Sequence, residues 1–162
     1  MGSKELRPRV WTLIIDEEVR IEGPRSKIWS ILNDPLTFRI LIPGLTRIRS
    51  SGPNQYVASA KIKLGFLNSS FNNISIKQVA NDAQYLTTLD IRGDEASKLG
   101  SFHEILELKL QDDSSSTTTL KIHADITMTG KLASLGRRVV EWKARELTAA
   151  VVKNLSRAIR QS

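Results

Sequence analysis

From Gly130 to Ile159 the chain carries one continuous helical pattern, and most of what precedes it alternates like β-strand. On a helical wheel Leu132, Val139, Val140, Leu147, Ala150, Val151, Leu155 and Ala158 share a broad apolar stripe. Gly136 lies in that stripe, where a missing side chain predicts close approach of helix to sheet. Thirty helical residues rise about 45 Å, enough to cross the face of a small domain. The other side carries Lys131, Arg137, Arg138, Lys143, Arg145, Lys153, Arg157 and Arg160 against only Glu141 and Glu146. That accounts for most of the chain's net charge of +7. The element that must cover the sheet is therefore also the most electropositive surface.

The strands are marked by alternation and by turn chemistry. In 10–21, Trp11, Leu13, Ile15, Val19 and Ile21 point one way, while Thr12, Asp16, Glu18 and Arg20 point the other. Gly23-Pro24 ends this strand, and Pro24 suits the start of a short helix through Ile28, Trp29, Ile31 and Leu32. Asn33-Asp34-Pro35 breaks it, and a second short turn covers 36–42. Strands are then predicted at 46–50, 56–64, 67–79, 85–92, 101–111 and 117–128, parted by turns such as Ser51-Gly52-Pro53-Asn54 and Asn81-Asp82. Residues 1–9 read as a flexible polar segment and 10–162 as one domain.

The last hairpin offers a register. Centring its loop on Ser114 sets Glu107 opposite Lys121, Leu106 opposite Ile122, Leu108 opposite Leu120, and Phe102 opposite Ile126. The inner face then holds Phe102, Glu104, Leu106, Leu108, Leu120, Ile122, Ala124, Ile126 and Met128. Long antiparallel strands with one apolar face, plus one striped helix, imply an α+β fold: a curved sheet wrapped around that helix.

Several function classes are disfavoured at once. No stretch approaches the ~18 apolar residues of a membrane span, and 1–9 lacks the apolar core of a secretory signal, so a cytoplasmic location is expected. The chain has no cysteine, which removes thiolate catalysis and cysteine metal sites. His103 and His123 fall on outward strand positions, with Asp125 opposite His103 in this register. A His–Asp pair can act as acid and base, but no nucleophile accompanies it. No H-E-x-x-H motif or phosphate loop is present. Neither catalytic residues nor a metal site are expected. The basic helix raises nucleic-acid binding, yet aromatic and basic residues are not interleaved as stacking platforms require, so no nucleic-acid partner is expected.

Three motifs carry a resemblance: Pro24-Arg25-Ser26-Lys27-Ile28-Trp29-Ser30-Ile31-Leu32-Asn33-Asp34-Pro35, then Ile42-Pro43-Gly44-Leu45, then Gly130-Lys131-Leu132-Ala133-Ser134-Leu135-Gly136-Arg137. In this order and spacing the chain resembles the carbon monoxide dehydrogenase CoxG family, of the START-like, SRPBCC or helix-grip superfamily. The resemblance spans about residues 13–159. It implies a seven-stranded antiparallel sheet gripping the C-terminal helix, two short helices after the first strand, and a hydrophobic cavity between sheet and helix. It also implies an accessory role beside a molybdenum hydroxylase of the carbon monoxide dehydrogenase type, tethering it at the membrane or bringing it quinone. Many bacterial members continue into a membrane tail. This sequence stops at Ser162, so the expectation is reversible contact at the inner membrane surface rather than permanent anchoring.

Under that resemblance the candidate cavity residues are Trp29, Phe38, Phe66, Phe71, Phe102, Glu104, Met128, Leu132, Leu135, Val139 and Trp142. Glu104 and Glu17 occupy inward strand positions, where an unpaired carboxylate is costly. Arg138, Arg145, Lys153 and Arg160 form the candidate membrane- or partner-facing surface. The expected function is a non-catalytic carrier or adaptor for a hydrophobic molecule, a lipid or quinone, with no other cofactor. The alternative is a small polyketide cyclase-like enzyme using the same cavity.

Overall fold

The computed structural model describes residues 10–161; the expected flexible segment 1–9 lies outside them. The elements run β1 (Val10–Glu22), α1 (Arg25–Leu32), a 3-10 turn (Pro35–Thr37), α2 (Phe38–Leu41), β2 (Leu45–Gly52), β3 (Gln55–Leu64), β4 (Leu67–Asn81), β5 (Leu86–Asp94), β6 (Ser101–Asp112), β7 (Thr117–Thr129), α3 (Gly130–Ala133) and α4 (Arg137–Gln161), with one further 3-10 turn at Asp82–Gln84. The strands form a single antiparallel sheet in the order β1-β7-β6-β5-β4-β3-β2. Strands β2 to β7 are a meander of short hairpins. After β1 the chain crosses through α1 and α2 and re-enters at the opposite edge, so those helices span the concave face. The chain is the expected helix grip, and each strand begins and ends within two residues of its predicted bounds.

The terminal helix is interrupted, which corrects the reading of one rod from Gly130. Leu135 and Gly136 donate their amides to Leu132 and Ala133 in 3-10 fashion, and Gly136 adopts φ +89°. A left-handed residue closes the short α3, and the chain turns before α4 begins. Trp11 Nε1 donates to Ala133 O at 2.6 Å, which pins the α3 carboxyl end to the start of β1. A Cβ on Gly136 would meet nothing within 4 Å. The glycine therefore serves backbone conformation, not close helix–sheet approach.

The β6–β7 register is also corrected, by two residues. Phe102 pairs with Met128, Leu108 with Ile122, and Glu107 with His123; Lys109 lies opposite Lys121, and Asp125 faces Ile105 rather than His103. The loop centres on Ser115 because of its own polar contacts. Ser114 Oγ accepts the amides of Ser116 and Thr117, each at 3.2 Å, and Asp113 accepts the Thr119 hydroxyl at 2.7 Å. A slip of two leaves every side chain on its predicted face.

Where α4 ends, the interface is dry. Ile21, Ile28, Leu41, Leu110 and Leu155 are each no more than 1% exposed. Buried polar groups there are matched. Gln78 Nε2 donates to Asn33 Oδ1 (3.1 Å) and Thr87 Oγ1 (3.0 Å), Thr118 donates to Gly23 O (2.8 Å), and Asn154 donates to Leu41 O (2.9 Å). These bonds tie the two ends of α1 to the sheet and α4 to α2.

Candidate functional site

Along the middle of the sheet the packing changes. Strand β6 is flanked by β5 and β7, so its inward side chains can meet solvent only from the concave side. Even so, Phe102, Glu104 and Leu106 are half-buried, as are Leu13, Ile91 and Ile122 on the same face. Across from them, Val139, Ala144, Val151 and Val152 of α4 are half-buried too. In a close-packed helix–sheet interface these positions would be sealed. Sheet and helix therefore leave a hollow, lined mostly by aliphatic groups and the Phe102 ring.

The Phe102 ring is held to one side. It meets Phe71 edge-on with centroids 5.2 Å apart and lies over Gly93, where a Cβ would come within 2.5 Å of Phe102 Cε1. Gly93 makes room for the ring; Glu104 is the next inward position along β6. Beside Glu104 across the strands stand Ile91 and Ile126. Its carboxyl makes no hydrogen bond or ion pair among the described residues. Burial alone pushes its pKa up to about 7, because low-polarity surroundings penalise the charged form. Near neutral pH Glu104 is thus a hydrogen-bond donor about as often as an anion.

The second inward carboxylate is differently placed. Glu17 Oε1 accepts from Arg145 Nη1 at 2.9 Å, and Arg145 Nη2 donates to Glu141 Oε1 at 3.0 Å. Glu17 Oε2 is buried without a partner. Glu141 and then Glu17 raise the Arg145 pKa. Arg145 thus links helix to sheet edge and is not the free surface cation that sequence spacing suggests; Arg138, Lys153 and Arg160 do face solvent.

Other predicted cavity residues divide. Phe102, Glu104, Leu135 and Val139 are half-buried on the concave side; Phe71, Met128 and Leu132 are sealed around one end of it. Phe38 is plain core at the α2 end. Trp29 is held near the surface, donating to Asp82 Oδ1 at 3.0 Å and stacking edge-on with Tyr85. Two assignments are corrected outright. Phe66 is at a hairpin tip and Trp142 is on the outer side of α4, and both are exposed. Ile91 was missed, although the alternation Leu89, Ile91, Gly93 marks it as inward.

The histidines face outward as expected, each with an aspartate on its other neighbouring strand. His103 Nε2 lies 2.8 Å from Asp90 Oδ1, and His123 Nδ1 lies 2.6 Å from Asp16 Oδ1. The hydrogen bond to Asp16 raises the His123 pKa. Two open depressions of about 450 and 350 Å³ also lie on this convex side. Their walls are largely charged or polar, including Asp16, Glu18, Lys121 and His123 in the larger, unlike the apolar hollow. Among the described residues no cluster of three or more His, Asp or Glu could hold a metal ion. No described helix is long and apolar enough to cross a membrane.

The family model for the carbon monoxide dehydrogenase protein CoxG matches residues 18–160. No curated protein matches the chain. Among solved structures, a conserved protein from Geobacillus kaustophilus superposes with a TM-score of 0.85 at 21% identity, covering 93% of this chain and 97% of that one. An aromatase/cyclase, Zhui, from Streptomyces sp. R1128 gives 0.71 at 12% identity, with 93% and 95% covered. A START superfamily protein from Mycobacterium smegmatis gives 0.71 at 14% identity, with 91% and 97% covered. At these identities the structures establish a shared START-like fold.

Proposed function

Because the chain belongs to the carbon monoxide dehydrogenase CoxG family, we propose that it is a non-catalytic carrier that holds a hydrophobic molecule between sheet and helix. The observation that carries this reading is Glu104: a carboxyl without a protein partner, in an apolar hollow, with a pKa of about 7. Ligand sites of this kind pair broad apolar walls with a few orienting polar groups. Protonated, Glu104 donates to a carbonyl oxygen, which suits a quinone or the ester of a lipid. The delivery partner on this reading is a molybdenum hydroxylase of the carbon monoxide dehydrogenase type, with reversible contact at the inner membrane surface.

The elevated Glu104 pKa also suits the cyclase alternative, since a general acid works best near the ambient pH. Against it, the cross-strand neighbours of Glu104 are isoleucines, both histidines face outward, and the other inward carboxylate, Glu17, is held by Arg145. The test is an organic extract of protein purified without detergent, analysed by mass spectrometry. A stoichiometric quinone or lipid, depleted on Glu104→Leu, is the expected result. Protein that is empty and turns over a polyketide, with activity lost on Glu104→Gln, would establish the enzyme instead.

A further inference from the structure

The end of the molecule where α4 begins displays two large apolar side chains that the fold leaves uncovered. Phe66, at the tip of the β3–β4 hairpin, is 87% exposed, and Trp142, in the second turn of α4, is 63% exposed. They belong to one surface. A Cβ on Gly65 would lie 3.4 Å from Val139 Cγ1, and Val139 stands one helical turn before Trp142. Around them Lys63, Lys131, Arg137 and Arg138 are exposed and have no carboxylate partner among the described residues. Further along α4, Lys143 is paired with Glu146 and Arg145 with Glu17 and Glu141; the next exposed cations, Lys153, Arg157 and Arg160, lie on the last turns, toward the opposite end of the helix. Immediately behind the patch, Ile62, Leu67 and Leu135 are half-buried on the concave side; they continue the apolar lining outward toward the hairpin tip.

We propose that this end is a docking face for an anionic lipid bilayer. Phe66 and Trp142 enter the headgroup layer, the unpaired cations meet lipid phosphates, and the hollow opens toward the acyl chains. Aromatic residues favour that interfacial depth, and clustered Lys and Arg are drawn to an anionic leaflet. The chemistry points away from a second copy, because a two-fold contact would bring these cations against their own kind. A single ring on a narrow turn is also a poor self-complementary surface. The proposal deepens the carrier reading and takes its purpose from it, but its test is independent.

The full chain is mixed with vesicles of phosphatidylcholine containing about one-third phosphatidylglycerol, and separately with phosphatidylcholine alone. Binding should require the anionic lipid and weaken with salt. Phe66→Ser with Trp142→Ser should lower partitioning by about tenfold or more, with an unchanged melting temperature because both positions are exposed. Brominated acyl chains should quench fluorescence in the wild type and not in Trp142→Phe, since Trp11 and Trp29 are tied to Ala133 and Asp82. Equal binding to neutral and anionic vesicles, or a double variant that binds normally, overturns the proposal. So does a double variant whose only change is conversion of a dimer to a monomer in sedimentation velocity. Ligand content measured on the same preparations separates the two readings: a loaded protein indifferent to vesicles sinks the docking face alone, and an empty one that docks sinks the carrier alone.

Discussion

The two stretches of the sheet–helix interface are built from the same residue types and end in opposite states. Toward the end of α4, Leu155 and Ile159 meet Ile21, Leu110 and Leu120, with α1 and α2 filling the remaining space. Every buried polar side chain described there has a partner. In the middle of the sheet Leu13, Ile91, Leu106 and Ile122 are no less apolar, but they, like Val151 and Val152 of α4, are only half-buried at the margin of the core. Composition does not separate these regions; the presence or absence of a third packing layer does. The sealed stretch holds the grip closed, and the looser one keeps a half-buried carboxyl, Glu104, without a protein partner.

The contrast is broken most sharply by matched truncations. Leu155→Ala should cost about 3–5 kcal/mol, because a wholly buried leucine leaves a cavity. Leu106→Ala should cost only about 1–2 kcal/mol, since the hollow already borders it. Chemical denaturation measures both, and equal losses would mean that the middle is as tightly packed as the end.

The next effect is pH-dependent. Burial raises the Glu104 pKa from 4.5 to about 7, so the folded state binds more protons than the unfolded chain between those values. Stability should therefore fall as pH rises through that window, by at most about 3 kcal/mol in total. Glu104→Gln should remove that slope and leave the variant more stable than wild type above pH 7. A wild-type curve that rises over the same interval would show that the carboxyl is satisfied as an anion.

At the α3–α4 junction, Gly136→Ala should cost about 1 kcal/mol through its positive φ. Gly136→Leu should cost no more than alanine, because the space beyond is open; a much larger loss would restore a close helix contact. The smallest change belongs to the convex face. Asp16→Asn should bring the His123 pKa down toward its ordinary value, followed by NMR titration, since the hydrogen bond to Asp16 is the main cause of its rise. As that rise stabilises the fold only below the elevated pKa, the variant's small deficit should vanish as pH climbs past it.

Much of the architecture was legible in the sequence, because burial on one face of a strand forces alternation, and turns demand glycine, proline or asparagine. Thr117 to Met128, for example, could be assigned inner and outer faces from period alone. The same period hid the true pairing of β6 with β7. A two-residue slip preserves every face, so only the hydrogen bonds of Ser114 and Asp113 in the loop could decide it. Phe66 and Trp142 were misplaced for a related reason: apolarity says that a side chain prefers burial, not whether the fold has room to grant it.

Sequence alone determined the strand and helix inventory, the concave position of Glu104 and the basic character of the last helix, all of which follow from local periodicity and charge. Tertiary structure decided that Arg145 is consumed by Glu17 and Glu141, that Gly136 turns the chain, and that Phe102 leans onto Gly93. Those outcomes depend on which side chains arrive together from strands and helices distant in the chain, and a one-dimensional pattern carries no term for the volume between them.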